Sequence, residues 1–153
     1  MGLLFSKKRV DGNLVEPADP MLSVMPYVMR SRTEAQVAYT FTVKLDVIDA
    51  FIREKRREGK RITFFQVIIA AFLKVIGERP SLNRFVAGRR LYQHHEFDIL
   101  YVVKPRLSDD SNESVARVSF EEDDTIYDVS EKMTAQTQAI QNQVEMKDDD
   151  KLI

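Results

Sequence analysis

The hydrophobic pattern divides the chain into helical and extended stretches. Residues 1–20 are polar and broken by Gly12, Pro17 and Pro20, which predicts an arm laid over a neighbouring surface. Met21 to Arg32 carries Met21, Met25, Val28 and Met29 at spacings of three and four, the period of one helix face, and the methionines read as core packing. From Val37 to Asp46 the pattern changes to strict alternation. Val37, Tyr39, Phe41, Val43 and Leu45 point one way and Ala38, Thr40, Thr42 and Lys44 the other, which predicts a strand with one buried face. Asp46 to Glu58 turns helical again, with Val47, Ile48, Phe51 and Ile52 inward and Gly59 at its end. Thr63 and Gln66 form a capping-box start to a helix running to about Glu78. That helix is apolar nearly all round, so burial on several sides is expected, and Pro80 stops it.

Arg84 to Val86 and Arg90 to His94 predict two short strands around Ala87-Gly88-Arg89. Phe97 to Lys104 and Ser114 to Phe120 predict two more, joined by an acidic exposed link from Ser108 to Glu113. The last helix spans Thr125 to Glu145, opened by a capping box of Thr125 and Asp128, with an apolar stripe of Ile126, Val129, Met133, Ile140 and Val144. Helices precede a run of strands. The expected class is therefore α+β, a two-layer sandwich with a mixed sheet and helices on one face. Lys151-Leu152-Ile153 follows an acidic spacer and reads as the start of another apolar segment, so the expected domain is incomplete.

Composition narrows the chemistry. The 153 residues suit one domain, and 44% apolar with 31% charged is a soluble globular mix. With no cysteine, disulfides, thiolate nucleophiles and Cys-ligated zinc are excluded, and the composition fits a cytoplasmic protein. The most apolar stretch, Phe64 to Ile76, is 13 residues long and contains Gln66 and Lys74, far short of the ~20 residues of a spanning helix, so no membrane partner is expected. Met1 to Ser6 matches the permissive N-myristoylation pattern, followed by Lys7, Lys8 and Arg9. Charge is uneven: Ser108 to Ile153 holds 13 acids against 4 bases, so with a total of −1 the first 107 residues carry +8. The densest basic run, Arg53 to Arg61, is interleaved with Glu54 and Glu58 and lacks aromatic partners for bases, so it reads as a solvated helix face with no nucleic-acid partner.

Candidate chemistry is sparse. His94-His95-Glu96-Phe97-Asp98 is the one cluster of catalytic residue types, but neighbouring strand residues face opposite sides. His94 and Asp98 lie some 13 Å apart at ~3.3 Å per residue, so the cluster reads as a surface hairpin with incidental histidines. No Gly-x-Ser-x-Gly elbow and no glycine-rich phosphate loop is present. No metal site is expected.

Three phrases nevertheless resemble one superfamily: Val37-Ala38-Tyr39-Thr40-Phe41-Thr42-Val43-Lys44-Leu45-Asp46-Val47, Ile62 to Phe72, and Arg79-Pro80-Ser81-Leu82-Asn83-Arg84-Phe85. The chain from about Asp19 to Val144 is similar to the acyltransferase catalytic domain of 2-oxo acid dehydrogenase complexes, related to chloramphenicol acetyltransferase. The resemblance implies that fold, a stand-alone type, and acyl transfer between coenzyme A and a dihydrolipoyl thiol or a hydroxyl acceptor. It implies a small-molecule acyl donor and acceptor or a lipoyl domain as partners, and a homotrimer in the complete form. A histidine general base and a hydroxyl on the oxyanion would carry the reaction. That histidine belongs to a His-x-x-x-Asp-Gly motif. Here the nearest string, His94 to Ile99, has Ile99 in place of glycine and falls in the middle hairpin, so no catalytic residue is assigned. Two residues carry over: Arg32 as a helix-end arginine supporting the site, and Tyr39 as an aromatic of the acceptor pocket. The expected division is 1–20 an arm, 21–147 the N-terminal part of the acyltransferase domain, and 148–153 the start of the remainder. A non-catalytic oligomerisation or regulatory module of the same fold is the alternative.

Overall fold

The computed structural model describes residues 9–104 and 113–149, and side chains of the final helix as far as Asn142. The myristoylation pattern, most of the acidic link 108–113 and the tail 150–153 lie outside the described residues, as does the Val144 side chain. The elements in order are β1 (Gly12–Leu14), α1 (Pro20–Val28), α2 (Asp46–Arg57), α3 (Phe64–Glu78), a 3-10 turn (Pro80–Asn83), β2 (Arg84–Ala87), β3 (Arg90–His94), β4 (Phe97–Val103), β5 (Ser114–Phe120) and α4 (Ile126–Asp149). The chain is α+β, as the pattern predicts. It divides into two compact units, Met1–Lys44 with Ile76–Glu96, and Leu45–Val75 with Phe97–Ile153.

In the first unit, β1, β3 and β2 form a three-stranded antiparallel sheet in that order. The β2–β3 turn needs two left-handed residues, and Gly88 and Arg89 supply φ of 55° and 62°. Such a two-residue turn matches the right-handed twist of the strands it joins. Pro20 starts α1, where a missing N–H costs nothing, and Asp19 accepts the Met21 N–H at 2.9 Å as its cap. The 3-10 turn is tied down by Asn83, whose side chain donates to the Glu96 carbonyl at 3.1 Å.

In the second unit, β4 and β5 pair antiparallel from Phe97↔Phe120 to Val103↔Ser114. One sheet face meets α3 and α4 in a core of Ile69, Leu73, Val118, Phe120, Val129 and Met133. Ala70, Phe97, Ile99 and Tyr101 flank it. The period-two pattern of β4 and β5 and the i, i+4 spacing of the helix residues put those side chains on the facing surfaces. Both expected capping boxes are present. Thr63 Oγ1 accepts the Gln66 N–H while Gln66 Oε1 accepts the Thr63 N–H, and Asp128 accepts from both Thr125 N–H and Thr125 O–H.

Four expectations need correction. Every strand pairing among the described residues is antiparallel, so the sheet is not mixed. Val37 to Leu45 is not part of any sheet, because no described strand lies beside it. The arm contains a strand, β1, whose stability comes from β3 and not from its own composition. Finally, α3 buries only the face of Gln66, Ile69 and Leu73; Phe64, Phe65, Phe72 and Val75 remain exposed.

Candidate functional site

The first unit contains a cleft of about 970 Å³. Its apolar floor comes from two elements. Leu22, Met25 and Met29 lie on one face of α1 and its end, and Val86 and Leu91 come from the β2–β3 hairpin. Over this floor stand four arginines: Arg30, Arg32, Arg84 and Arg89. No lining residue is acidic, and among the described residues none of the four guanidiniums forms an ion pair.

Local bonds hold these arginines in place. After α1 the chain closes a tight turn around Glu34. Its carboxylate accepts the N–H groups of Arg30 at 2.8 Å and Ser31 at 3.0 Å, while Ser31 Oγ accepts the Glu34 N–H at 3.2 Å. The backbone donors of Ser31 and Arg30 hold the Glu34 carboxyl below its ordinary range. Its negative charge is thus committed to the turn that carries Arg30 and Arg32. Arg84 Nε donates to Gln93 Oε1 at 3.1 Å, and Gln93 Nε2 donates to the Asn83 carbonyl at 3.0 Å. The Arg89 guanidinium sits 5.5 Å from the Tyr27 ring centroid. Four fixed cations above methionine and leucine make a surface that suits an anion attached to an apolar arm.

His94 also lines the cleft. Its ring stacks on Phe85 at 4.1 Å and its Nδ1 lies 3.2 Å from the Asp11 carbonyl. Phe85 stacks in turn on Tyr92, and Arg9 lies over both rings at 5.5 and 5.4 Å while pairing with Asp11 at 2.7 Å. The Arg9 hydrogen bond holds the Asp11 carboxyl below its ordinary range. Asp98 has different partners, accepting from Arg117 and from Ser119 Oγ at 2.6 Å, so His94 and Asp98 do not form a catalytic couple. His95 is exposed.

The two residues singled out from the sequence are separated by role. Arg32 lines the cleft; Tyr39 does not, and instead stacks on Phe41 at 5.8 Å on the exposed segment. Arg30, Arg84, Arg89 and His94 were not legible as a site, since they come from three separate stretches of chain; only the Arg30-Ser31-Arg32 spacing offered a local signal. Among the described residues no group of three or more acidic or histidine side chains could hold a metal, and no helix is long and apolar enough to cross a membrane. Neither family models, nor curated proteins, nor solved structures give a match to this chain.

Proposed function

We propose that this chain is the N-terminal part of a coenzyme A-dependent acyltransferase domain of the 2-oxo acid dehydrogenase type. The observation that carries the proposal is the set of four unpaired arginines, Arg32 among them, over an apolar floor. Coenzyme A has the matching chemistry, with phosphates at one end and a flexible thiol-bearing arm at the other. Arginine forks recognise phosphate oxygens in pairs, and a methionine-lined floor accommodates a flexible arm. In this reading Arg30, Arg84 and Arg89 meet the phosphates and Arg32 supports the reacting end. No general base is assigned, because His94 and His95 stand outside a His-x-x-x-Asp-Gly motif. The acceptor is a dihydrolipoyl thiol or a hydroxyl, and the complete form is a trimer.

Calorimetric titration of the chain with acetyl-coenzyme A tests this. The expected result is binding that weakens as salt is raised, with pantetheine, which lacks the phosphates, binding far less. No acetyl transfer is expected from these residues alone. Equal affinity for pantetheine, or no binding of either compound, overturns the proposal. The exposed alternating segment at Val37–Leu45 favours a second reading, a non-catalytic oligomerisation module.

A further inference from the structure

The segment from Val37 to Leu45 has the sequence of a buried strand and the surroundings of an orphan. Its apolar face is exposed, with Val37 at 90%, Tyr39 at 83% and Phe41 at 68%. Among the described residues, no backbone N–H or carbonyl from Val37 to Lys44 has a hydrogen-bond partner. Both edges of an extended nine-residue segment are therefore bare, and bare edges are templates for another strand.

The sequence of the segment identifies the strand that fits. About Phe41 the order of apolar and polar positions reads the same in both directions. An antiparallel pair centred there sets Val37 against Leu45, Tyr39 against Val43 and Phe41 against its own counterpart, all on one face. The other face sets Thr40 against Thr42 and Ala38 against Lys44. Thr–Thr, aromatic and β-branched pairs are favourable cross-strand neighbours. The only charged residue in the segment, Lys44, meets an alanine, and the two lysines end about 20 Å apart at ~3.3 Å per residue. A parallel in-register pair would instead place lysine beside lysine. A one-residue slip would turn each apolar face to the wrong side. The Tyr39–Phe41 stack in each chain would continue through the symmetric Phe41 pair as a row of four rings. A contact in which each residue meets its mirror position is the isologous geometry of a twofold dimer.

We propose that Val37–Leu45 pairs antiparallel with the same segment of a second copy of this chain, centred on Phe41. This is independent of coenzyme A binding, and its test involves no coenzyme A.

The absence of cysteine makes the test clean. Under mild oxidation Phe41→Cys should give a disulfide-linked dimer, because directly opposed strand residues lie within disulfide reach. Tyr39→Cys should stay unlinked, since the two positions 39 would be about 13 Å apart at ~3.3 Å per residue. The pair Tyr39→Cys with Val43→Cys should restore linkage. On the opposite face, Thr40→Cys with Thr42→Cys should also link, which keeps the test decisive if loss of Phe41 damages the fold. Sedimentation of the unaltered chain should shift from monomer to dimer with rising concentration. A monomer at all concentrations, equal linkage of Tyr39→Cys and Phe41→Cys, or a trimer with no linkage by any of these pairs overturns the proposal.

Discussion

Gln66 and Ser130 hold each other reciprocally across α3 and α4. Gln66 Nε2 donates to the Ser130 carbonyl at 3.4 Å, and the Ser130 hydroxyl lies 3.2 Å from Gln66 Oε1, to which it can donate. The same Gln66 oxygen accepts the Thr63 N–H at the start of α3. One buried amide thus closes a helix cap and ties two helices together. Gln66→Leu keeps the volume and removes both functions. It should cost roughly 1–3 kcal/mol, the range for an orphaned buried polar group and a lost cap. Ser130→Ala should cost less, because Gln66 keeps its bonds to the backbone of Thr63 and Ser130. A double-mutant cycle by urea denaturation should show clear coupling; additive effects would mean the two side chains act separately.

Leu73 anchors the inner end of the same core, 3% exposed beside Ile69 and Val118. Truncation leaves a void that the surrounding helix and sheet fill only in part. Leu73→Ala should therefore destabilise by about 2–5 kcal/mol. Phe72→Ala, at an exposed neighbour on α3, should cost much less. Comparable losses for the two would contradict the one-sided burial of α3.

That asymmetry marks the boundary of what was legible in the sequence. The capping boxes at Thr63 and Thr125 were readable because both partners lie within three residues of each other. The strands of the β2–β3 hairpin were readable because the turn between them is local. Amphipathicity alone overstated the burial of α3, since an all-round apolar helix does not say how many neighbours will cover it. For β1 the pattern gave nothing: three residues, Gly-Asn-Leu, become a strand only through pairing with positions 92–94. The cleft was hidden for the same reason. Arg32 could be named from its place after a helix, but Arg84 and Arg89 join it only through the folding of the hairpin.

If the cleft binds a polyanion, its arginines should not be interchangeable with lysine. Arg32→Lys keeps the charge and loses the planar fork. Both Arg32→Ala and Arg32→Lys should weaken binding of acetyl-coenzyme A, the alanine more, by about tenfold for ~1.4 kcal/mol of lost interaction. Titration calorimetry at constant salt measures this. Full retention of affinity in Arg32→Ala would remove Arg32 from the site, whatever the other arginines do.

Acid sensitivity should report on the N-terminal cap of α4. The hydroxyl of Thr125, followed by its backbone N–H, holds the Asp128 carboxyl below its ordinary value of 3.8. A depressed native pKa means that the ionised group stabilises the fold at neutral pH. That contribution is fully present above the unfolded value and is lost as pH falls through the lower native value. Asp128→Asn should therefore be less stable than the parent at pH 7. The gap between them should narrow below about pH 3.8. Thermal melts across pH 7 to 2.5 measure both arms, and a gap independent of pH would show that the charge of Asp128 contributes nothing.

Gly12 marks the closest approach in the first unit. A Cβ at this position would sit 2.6 Å from the Gln93 carbonyl oxygen and 2.8 Å from Phe85 Cε1, distances real Cβ atoms do not tolerate. The phenyl edge could shift a little, but the carbonyl belongs to β3, which is held between β1 and β2. Gly12→Ala should thus push β1 off the sheet edge. The effect reaches the cleft, because the residue before Gly12 supplies the carbonyl beside His94 Nδ1. Overpacking of this kind costs about 1–3 kcal/mol. Hydrogen exchange should show it locally: the Val15 N–H, bonded to the Leu91 carbonyl at 2.9 Å, should lose protection, while amides of β4 and β5 keep theirs. Unchanged protection at Val15 would mean that β1 accommodates the methyl, and that glycine at this position is not what lets the arm join the sheet.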